Sequence, residues 1–217
     1  QERPQDKPFF LWLAAVDPHR GYRENTIPDP HTQSDAVVPP FLPDNPSTRK
    51  DLAMYYDEIS RMDDYIVQVL DELENQGEAE NTFVLFMSDN GRPFPRCKTL
   101  TYDSGIKTPF IARYPGFTKP GSTCDSLVSS IDIAPTLFEL AGLKQSPTFQ
   151  GISFAPMLTD TKAETRNFVF AEHNWHDYRA HERTVRSKDF LYLKNSFPQL
   201  PHTPPADAVR SPTYQKM

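Results

Sequence analysis

The residues in this sequence best suited to chemistry stand where two apolar runs end. The run "TFVLFM" ends in "SDNG", so Asp89 and Asn90 lie side by side at its exit. An earlier run, "PFFLWLAAV", ends in "DPHR", which contains His19 and Arg20. A carboxylate beside an amide carbonyl offers two hard oxygen ligands, which suit Ca²⁺ or Mg²⁺. A histidine followed by an arginine is suited to binding an anion.

Each of these features also has an ordinary structural explanation. An Asp-Asn-Gly sequence often forms a turn that caps a strand. His19 can be a hydrogen-bonded loop histidine, and Lys98, in "RCKTLTYDSG", can be one of many solvated lysines. The residues alone therefore leave both a turn and a ligand site open.

The surrounding pattern predicts the elements that position these residues. Three short apolar runs, "PFFLWLAAV", "TFVLFM" and "PFIARYPG", are typical of buried strands. Between the first two, apolar residues recur at spacings of three and four, which predicts a helix from Asn45 to a stop at Gly77. A second helix is predicted in "SSIDIAPTLFELAGL", with Asp132 as its N-cap and Gly142 as its stop.

Strands that alternate with helices indicate an α/β fold, in which helices cover both faces of a mixed, mostly parallel sheet. In such a sheet, ligands bind at the carboxyl ends of the strands. From about Thr159, short β-like segments replace this pattern and predict the start of a small antiparallel C-terminal α+β subdomain. We therefore predict an α/β domain over 1–158 and a subdomain over 159–217.

Composition excludes several classes of protein. The chain has 217 residues, 37% of them hydrophobic, and a formal net charge of -6, so we expect no nucleic-acid partner. No apolar stretch approaches the roughly 18 residues of a membrane span, and we expect none. Cys97 and Cys124 form neither a CxxC pair nor a cluster with histidine, so they support neither a redox motif nor a zinc site.

The order of these motifs resembles that of the sulfatase family in the alkaline-phosphatase-like superfamily. The matching segments, from "PFFLWLAAVDPHR" through "NTFVLFMSDNG" to "SSIDIAPTLFELAGL", span most of residues 7–143. Within the family, "DPHR", "SDNG" followed by "PFP", and the terminal "SPTYQ" look like the sulfamidase (heparan N-sulfatase) branch. The resemblance implies an alkaline-phosphatase-like sandwich and a hydrolase that acts on the sulfate ester or sulfamate of a sulfated sugar or glycan.

The resemblance also implies roles for individual residues. Asp89 and Asn90 match ligands of a divalent cation, usually Ca²⁺, with Mg²⁺ as the other candidate. His19 matches a histidine that contacts the sulfate and assists the leaving group. Lys98 matches a basic residue that bridges the sulfate near the metal, where the sulfamidases carry arginine.

Contacts with the substrate are implied for Asp17 and Arg20 in "DPHR" and for Arg183 in "HERTVRS". Arg183 also has a structural alternative, because it can pair with Glu182 or Asp189 on the surface of a strand. Both explanations of Arg183 stay open at the level of the sequence.

The family's nucleophile has no match in this chain. It is a formylglycine made from Cys or Ser in a C/S-x-P-x-R motif, whereas "KTL" follows Cys97 and "DSL" follows Cys124. The paired aspartates that complete the family's metal site have no match either. We therefore expect the C-terminal half of an enzyme whose N-terminal half is its partner and supplies the formylglycine, and we expect this chain alone to be inactive.

The family resemblance places the enzyme in the periplasm, in the lysosome or outside the cell. Two other functions stay open. One is a phosphate or phosphonate ester hydrolase of the same superfamily, and the other is a non-catalytic, sulfatase-like protein that binds glycans.

Overall fold

A computed structural model describes Pro4 and residues 7–217 of the chain. Residues 1–3, 5 and 6, which the predicted first domain includes, lie outside the described residues. The described residues form helices α1 (Pro46–Asn75), α2 (Asp103–Ile106), α3 (Ile133–Leu140), α4 (Ala155–Thr159) and α5 (Ala206–Val209). They also form strands β1 (Val84–Met87), β2 (Phe110–Arg113), β3 (Val169–Trp175), β4 (Arg179–Arg186) and β5 (Leu191–Asn195). Within this part of the chain, none of the helices has the length and apolar composition that crossing a bilayer requires.

Helix α1 begins and ends where its sequence predicts. The Oδ1 of Asn45 accepts a hydrogen bond from the N–H of Thr48 at 2.9 Å, so Asn45 caps the helix. Pro46 occupies the first turn, where its missing N–H costs nothing. Gly77 follows the last turn with φ at +69°, a conformation that glycine adopts without strain. The predicted helix is confirmed.

Strands β1 and β2 confirm that two of the three predicted runs are strands, but these strands are half-buried in the described chain and not fully buried, and Ile111 is 61% exposed. They pair antiparallel, with Val84 opposite Arg113 and Met87 opposite Phe110. The mostly parallel pairing that the sequence predicts is not found within the described residues, where every strand pair is antiparallel. The apolar pattern did not reveal this, because periodicity reports burial and not the direction of the neighbouring strand.

The prediction of a buried strand over residues 8–16 is wrong for this structure. No described strand pairs with this segment, and its apolar side chains are exposed, with Trp12 at 79% and Val16 at 81%. A strand forms only when a neighbour satisfies its N–H and C=O groups. The apolar run therefore predicts a segment suited to burial and not the strand itself.

Strands β3, β4 and β5 form the predicted C-terminal antiparallel sheet, in the order β3-β4-β5. His173 of β3 lies opposite Glu182 of β4, and Glu182 lies opposite Asn195 of β5. Because residues opposite one another share a face, these three side chains form one row across the sheet. The antiparallel subdomain is confirmed as a sheet, and its boundary at 159 stays a prediction.

Asp132 occupies the predicted N-cap position of α3, but its side chain makes no capping hydrogen bond to that helix and bonds to other segments instead. Its Oδ2 accepts the N–H of Ser129 at 2.8 Å, in a capping box around the preceding 3₁₀ turn. Its Oδ1 accepts the N–H of Ile152 at 2.8 Å and a hydrogen bond from Arg166. Asp132 therefore joins three segments, and the predicted stop at Gly142 is confirmed by its φ of +66°.

An apolar cluster supports the two loops that carry the predicted site residues. Its buried members include Leu52 of α1, Phe94 and Cys97, and Tyr22 and Tyr55 pack against them. The "DPHR" loop and the "SDNG" loop thus share one core.

Gly91 and Gly105 bring the start of the "SDNG" loop against α2. The N–H of Gly91 donates to the carbonyl oxygen of Gly105 at 2.8 Å. A Cβ added to Gly91 would lie 2.0 Å from the carbonyl oxygen of Ser104, and one added to Gly105 would lie 2.0 Å from that of Leu100. Both positions therefore require glycine, since the colliding atoms belong to the backbone.

We expect Gly91→Ala to lower the free energy of unfolding by about 1 to 3 kcal/mol, the usual cost of forcing an extra carbon into a packed site. Urea denaturation of the chain measures this change. Gly77→Asn is the control, because nothing lies within 4 Å of an added Cβ there and asparagine tolerates a positive φ. Equal stability for Gly91→Ala and the unaltered chain would contradict the close approach.

Candidate active site

Arg20 joins the two loops that carry the predicted site residues. Its Nε donates to the carbonyl oxygen of Pro93 at 2.7 Å, in the loop that connects Asn90 with Lys98. Its two terminal nitrogens donate to the two carboxylate oxygens of Asp51, at 2.8 and 2.9 Å. The side chains of Arg20 and Asp51 are 6% and 1% exposed. This buried, two-pronged ion pair fixes the "DPHR" loop against α1 and against the second loop.

Aromatic rings and a hydroxyl complete the surroundings of this ion pair. The guanidinium carbon of Arg20 lies 4.5 Å from the ring centroid of Phe94 and 4.8 Å from that of Tyr22, at cation–π distances. The Oγ1 of Thr213 donates to Asp51 at 2.7 Å, which brings in the terminal "SPTYQ" segment. Because the guanidinium is engaged in this way, Arg20 positions the loops, and its predicted contact with substrate stays a prediction.

Asp17 is also held by an arginine. Arg61 of α1 donates to its two carboxylate oxygens at 2.8 and 2.7 Å, and also donates to Glu58. The hydrogen bond from Arg61 holds the pKa of Asp17 below its usual range, whereas burial raises the pKa of Glu58. A substrate contact by Asp17 stays a prediction, since its oxygens already have partners.

Asp89 and Asn90 follow β1 and present oxygen atoms that the described residues leave unused. The Nδ2 of Asn90 donates to the carbonyl oxygen of Gly91 at 2.8 Å, which fixes the amide and leaves Oδ1 without a described partner. The carboxylate of Asp89 is exposed and has no hydrogen bond or ion pair with a described residue. These hard oxygens fit Ca²⁺. The described residues contain no cluster of three His, Cys, Asp or Glu side chains that could hold a metal, and the predicted role of Asp89 and Asn90 as metal ligands stays a prediction.

Lys98 lies at the end of the loop that begins at Asn90. Its backbone N–H donates to the carbonyl oxygen of Arg92 at 3.1 Å, which folds the loop back on itself. Its ammonium makes no hydrogen bond or close ion pair within the described part of the chain. The N–H of Ala206 holds the pKa of Asp177 below its usual range, and the positive charges of His176 and Lys98 contribute. Lys98 is therefore a cation near α5 and the turn after β3, with its donors available.

His19 lies between its own loop and α5. Its Nδ1 is 2.6 Å from the carbonyl oxygen of Arg20, and since a carbonyl only accepts, Nδ1 carries the proton. Its Nε2 is 3.6 Å from Oδ2 of Asp207. That oxygen is buried and has no hydrogen-bond partner among the described residues. No pattern in the sequence pointed to Asp207, because only the fold brings His19 and Asp207 together.

Arg183 lies in β4 and pairs with a carboxylate other than those expected from the sequence. Its Nε is 3.2 Å from Oε2 of Glu172, which lies opposite it on β3. The pair is exposed to solvent, so it contributes little to stability. The structural alternative for Arg183 is thus a cross-strand pair with Glu172, and its contact with substrate stays a prediction.

Glu182, which the sequence analysis considered only as a surface partner of Arg183, is a buried carboxylate. It is 2% exposed and accepts hydrogen bonds from the N–H of Thr101 at 3.3 Å and from its hydroxyl at 3.0 Å. Arg186 lies four residues after Glu182, on the same face of β4, and its guanidinium donates to the carboxylate of Asp103 of α2 at 3.0 and 3.2 Å. Strand β4 thereby holds the segment that follows Lys98. The sequence signal that could have identified Glu182 is an acidic residue on the inward side of a strand.

Cys97 lies one residue before Lys98 but is suited to packing and not to catalysis. Its side chain is fully buried in the apolar cluster beneath the loops. Burial raises the pKa of its thiol, which disfavours the reactive thiolate. The structure thus agrees with the mismatch between Cys97 and the formylglycine motif.

We expect Asp51→Ala to lower the free energy of unfolding by about 3 to 5 kcal/mol, because it leaves the buried charge of Arg20 without a partner. Chemical denaturation of the chain measures the loss. Asp44→Ala is the matched control, since Asp44 makes the same two-pronged bond to Arg49 at an exposed site. A loss for Asp51→Ala no larger than that for Asp44→Ala would contradict the structural importance of the buried pair.

We expect Asp89→Ala to reduce the Ca²⁺ bound by the full-length protein without changing its thermal stability in EDTA. Elemental analysis after dialysis measures the metal content. Asp63→Ala is the control, because Asp63 is another exposed carboxylate, on α1. Unchanged Ca²⁺ in the Asp89→Ala protein would remove Asp89 from the metal site.

Comparison with known proteins shows the family of the chain. The sulfatase family model matches residues 1–143, and the model of the C-terminal part of N-sulphoglucosamine sulphohydrolase matches residues 96–194. The chain is 36% identical over 182 residues to an ulvan-active sulfatase of Formosa agariphila, covering 83% of this chain and 30% of the relative. It is 30% identical over 244 residues to human N-sulphoglucosamine sulphohydrolase, covering 98% of this chain and 49% of the relative.

A solved structure shows the same fold. It comes from a study of the metabolism of multiple glycosaminoglycans by Bacteroides thetaiotaomicron, and it matches with a TM-score of 0.69 at 24% identity. The match covers 85% of this chain and 43% of that one. The chain therefore spans about half, or less, of the length of the relatives it matches. Because the sulfatase family model covers residues 1–143 of the 217, the chain belongs to the sulfatase family.

Proposed function

We propose that this chain is the C-terminal half of a sulfatase that hydrolyses the sulfate ester or sulfamate of a sulfated saccharide. Its partner is the N-terminal half of the same enzyme, which supplies the formylglycine nucleophile and the rest of the metal site. Membership of the family and the saccharides named in the relatives, ulvan and N-sulphoglucosamine, support the proposal. We also propose that the enzyme is located in the periplasm, in the lysosome or outside the cell.

The observation that carries the proposal is the convergence of the two loops on Arg20. One loop carries His19, and the other carries Asn90 at its start and Lys98 at its end. The bonds from Arg20 to Pro93 and to Asp51 hold both loops against one core. Groups that act on one anion must be fixed before it binds, because reorganising charges during the reaction costs free energy.

Lys98 would bind the sulfate through its ammonium. A sulfate ester or a sulfamate is an anion, and additional negative charge on its oxygens must be neutralised in the transition state. No described carboxylate makes a close ion pair with Lys98, so its donors are available to the substrate. A lysine acts as a point charge, whereas an arginine at this position would grip the anion through a planar fork.

His19 would act at the leaving oxygen or nitrogen. The carbonyl oxygen of Arg20 fixes Nδ1, so Nε2 is the nitrogen left to face a substrate. From a ring that carries both protons, Nε2 would give its proton to the leaving oxygen or nitrogen, which would then not depart as a strong base, while Nδ1 would keep its own. The carboxylate of Asp207, 3.6 Å from Nε2, would help to orient the ring.

Asp89 and Asn90 would hold a Ca²⁺ ion, or Mg²⁺ in its place, through the oxygens left without protein partners. A bound ion of this kind supplies positive charge next to the sulfate oxygens. The rigid support for the two ligands is β1, together with the glycine contact that follows them.

A substrate panel tests the proposed function in the full-length enzyme. We expect turnover of 4-nitrophenyl sulfate and of N-sulfoglucosamine, and no turnover of either by the 217-residue chain alone. Faster turnover of a phosphonate monoester than of any sulfate would instead establish the phosphonate ester hydrolase. Saccharide binding without any turnover would establish a glycan-binding protein.

The replacement of Lys98 tests the centre of the proposal. In the full-length enzyme, Lys98→Ala is expected to lower kcat on the order of 100-fold, as the loss of one donor to a developing anion does. Lys98→Arg is expected to keep part of the rate, because it keeps the charge while changing its geometry.

The measurement is kcat and KM for both variants on an O-sulfated and an N-sulfated glucosamine. Lys107→Ala is the control, since Lys107 is exposed and lies outside the loop. Unaltered kinetics for Lys98→Ala would place Lys98 outside the site.

A further inference from the structure

A small polar pocket lies beside Lys98, between its loop and the C-terminal sheet. Its lining includes the row of His173, Glu182 and Asn195 across β3, β4 and β5. Thr99, the residue after Lys98, also lines it. The charge of Lys98 acts on Asp177, another residue of the lining, so the lysine lies near the pocket.

Three polar atoms at this pocket are buried without a hydrogen-bond partner among the described residues. They are the hydroxyl oxygen of Thr99 and both ring nitrogens of His173. A buried polar atom without a partner costs about 1 to 3 kcal/mol, so such atoms are rare unless something else binds them. Their meeting at one pocket indicates a bound polar group.

The backbone at Thr99 supports the same conclusion. Its φ is +72°, a left-handed conformation that is strained for a β-branched residue. Strain of this kind is found preferentially at sites that bind ligands, where the surrounding structure maintains it. Here the bonds from Thr101 to Glu182 and from Lys98 to Arg92 hold the segment on both sides of Thr99.

We propose that the pocket lined by Thr99 and His173 binds a hydroxyl group of the saccharide whose sulfate lies at Lys98. This inference rests on the proposed function and adds a sugar-binding position to it. Thr99 offers a hydroxyl that both donates and accepts, and His173 in its neutral form offers one donor and one acceptor. A sugar hydroxyl has the complementary groups.

The size of the pocket favours a hydroxyl over a sulfate. The enclosed space is about 20 Å³, which is room for one group the size of a water molecule. Burial lowers the pKa of His173, so its ring is neutral near pH 7. The lining contains the carboxylates of Asp177 and Glu182 together with Arg179, His176 and His202, so its charges are mixed and do not select an anion. The sugar ring itself would therefore lie outside, with one hydroxyl inserted.

The experiment compares two substrates of the full-length enzyme, N-sulfoglucosamine and 4-nitrophenyl sulfate, which has no sugar. Thr99→Val keeps the shape of the side chain and removes the hydroxyl, and is expected to lower kcat/KM about tenfold on the sugar, the effect of one hydrogen bond. The aryl sulfate is expected to change less than about twofold on the same ground. Thr99→Ser restores the hydroxyl and should restore the sugar activity. His173→Leu is a second variant, with the same expectation as Thr99→Val.

Thr165→Val is the matched control, because its hydroxyl oxygen is also buried without a described partner but does not line this pocket. Thermal stability provides a second measurement, and Thr99→Val should not lower it, since the hydroxyl has no partner in the folded chain to lose. A pocket that holds only a water molecule would give equal effects, or none, on the two substrates, and would overturn the inference.

The test of the proposed function and the test of the pocket give distinguishable results. If the unaltered enzyme hydrolyses neither sulfate, the proposed function is wrong, and the pocket is tested by titrating the chain with N-sulfoglucosamine in NMR. Shifts at Thr99 and His173 that Thr99→Val abolishes would support the sugar position. The absence of shifts at both residues would overturn it.

Discussion

The buried ion pair between Arg20 and Asp51 is the interaction on which the rest of the site depends. Two charges removed from water are tolerated only when each finds the other in good geometry, with the remaining donors and acceptors satisfied. Here the third donor of Arg20 reaches Pro93, and Thr213 adds a bond to Asp51. The requirement to satisfy every one of these groups fixes four distant segments in one arrangement. The loops take their positions from that arrangement and not from their own sequences.

A second buried carboxylate holds the same loop from the other side. Glu182 satisfies the backbone and the hydroxyl of Thr101, and Thr184 donates to that hydroxyl oxygen at 2.7 Å. The loop between Asn90 and Thr101 is thus attached to α1 through one acid and to β4 through another. A short loop without regular structure, which carries Lys98, acquires its rigidity in this way.

The elements that sequence patterns predicted well are determined by residues within them or next to their ends. The helix α1 is determined by Asn45, Pro46 and Gly77, all next to its ends, and β1 and β2 are determined by short apolar runs. Residues 8–16 have the same kind of run but no strand beside them, so the local pattern was insufficient. Asp51 and Glu182 were missed for a related reason, because their partners Thr213 and Thr101 lie 162 and 81 positions away. A side chain buried by distant contacts leaves no nearby signal.

The contact between Gly91 and Gly105 separates Asp89 and Asn90 from the loop that follows them. The hydrogen bond between their backbones closes residues 92–104 into a loop by holding its two ends together. Asp89 and Asn90 lie outside this closed segment, so changes in its middle are separated from them, provided that Pro93, Phe94 and Thr101 keep their contacts with the rest of the chain. The same boundary marks where a loop from another sulfatase should be grafted.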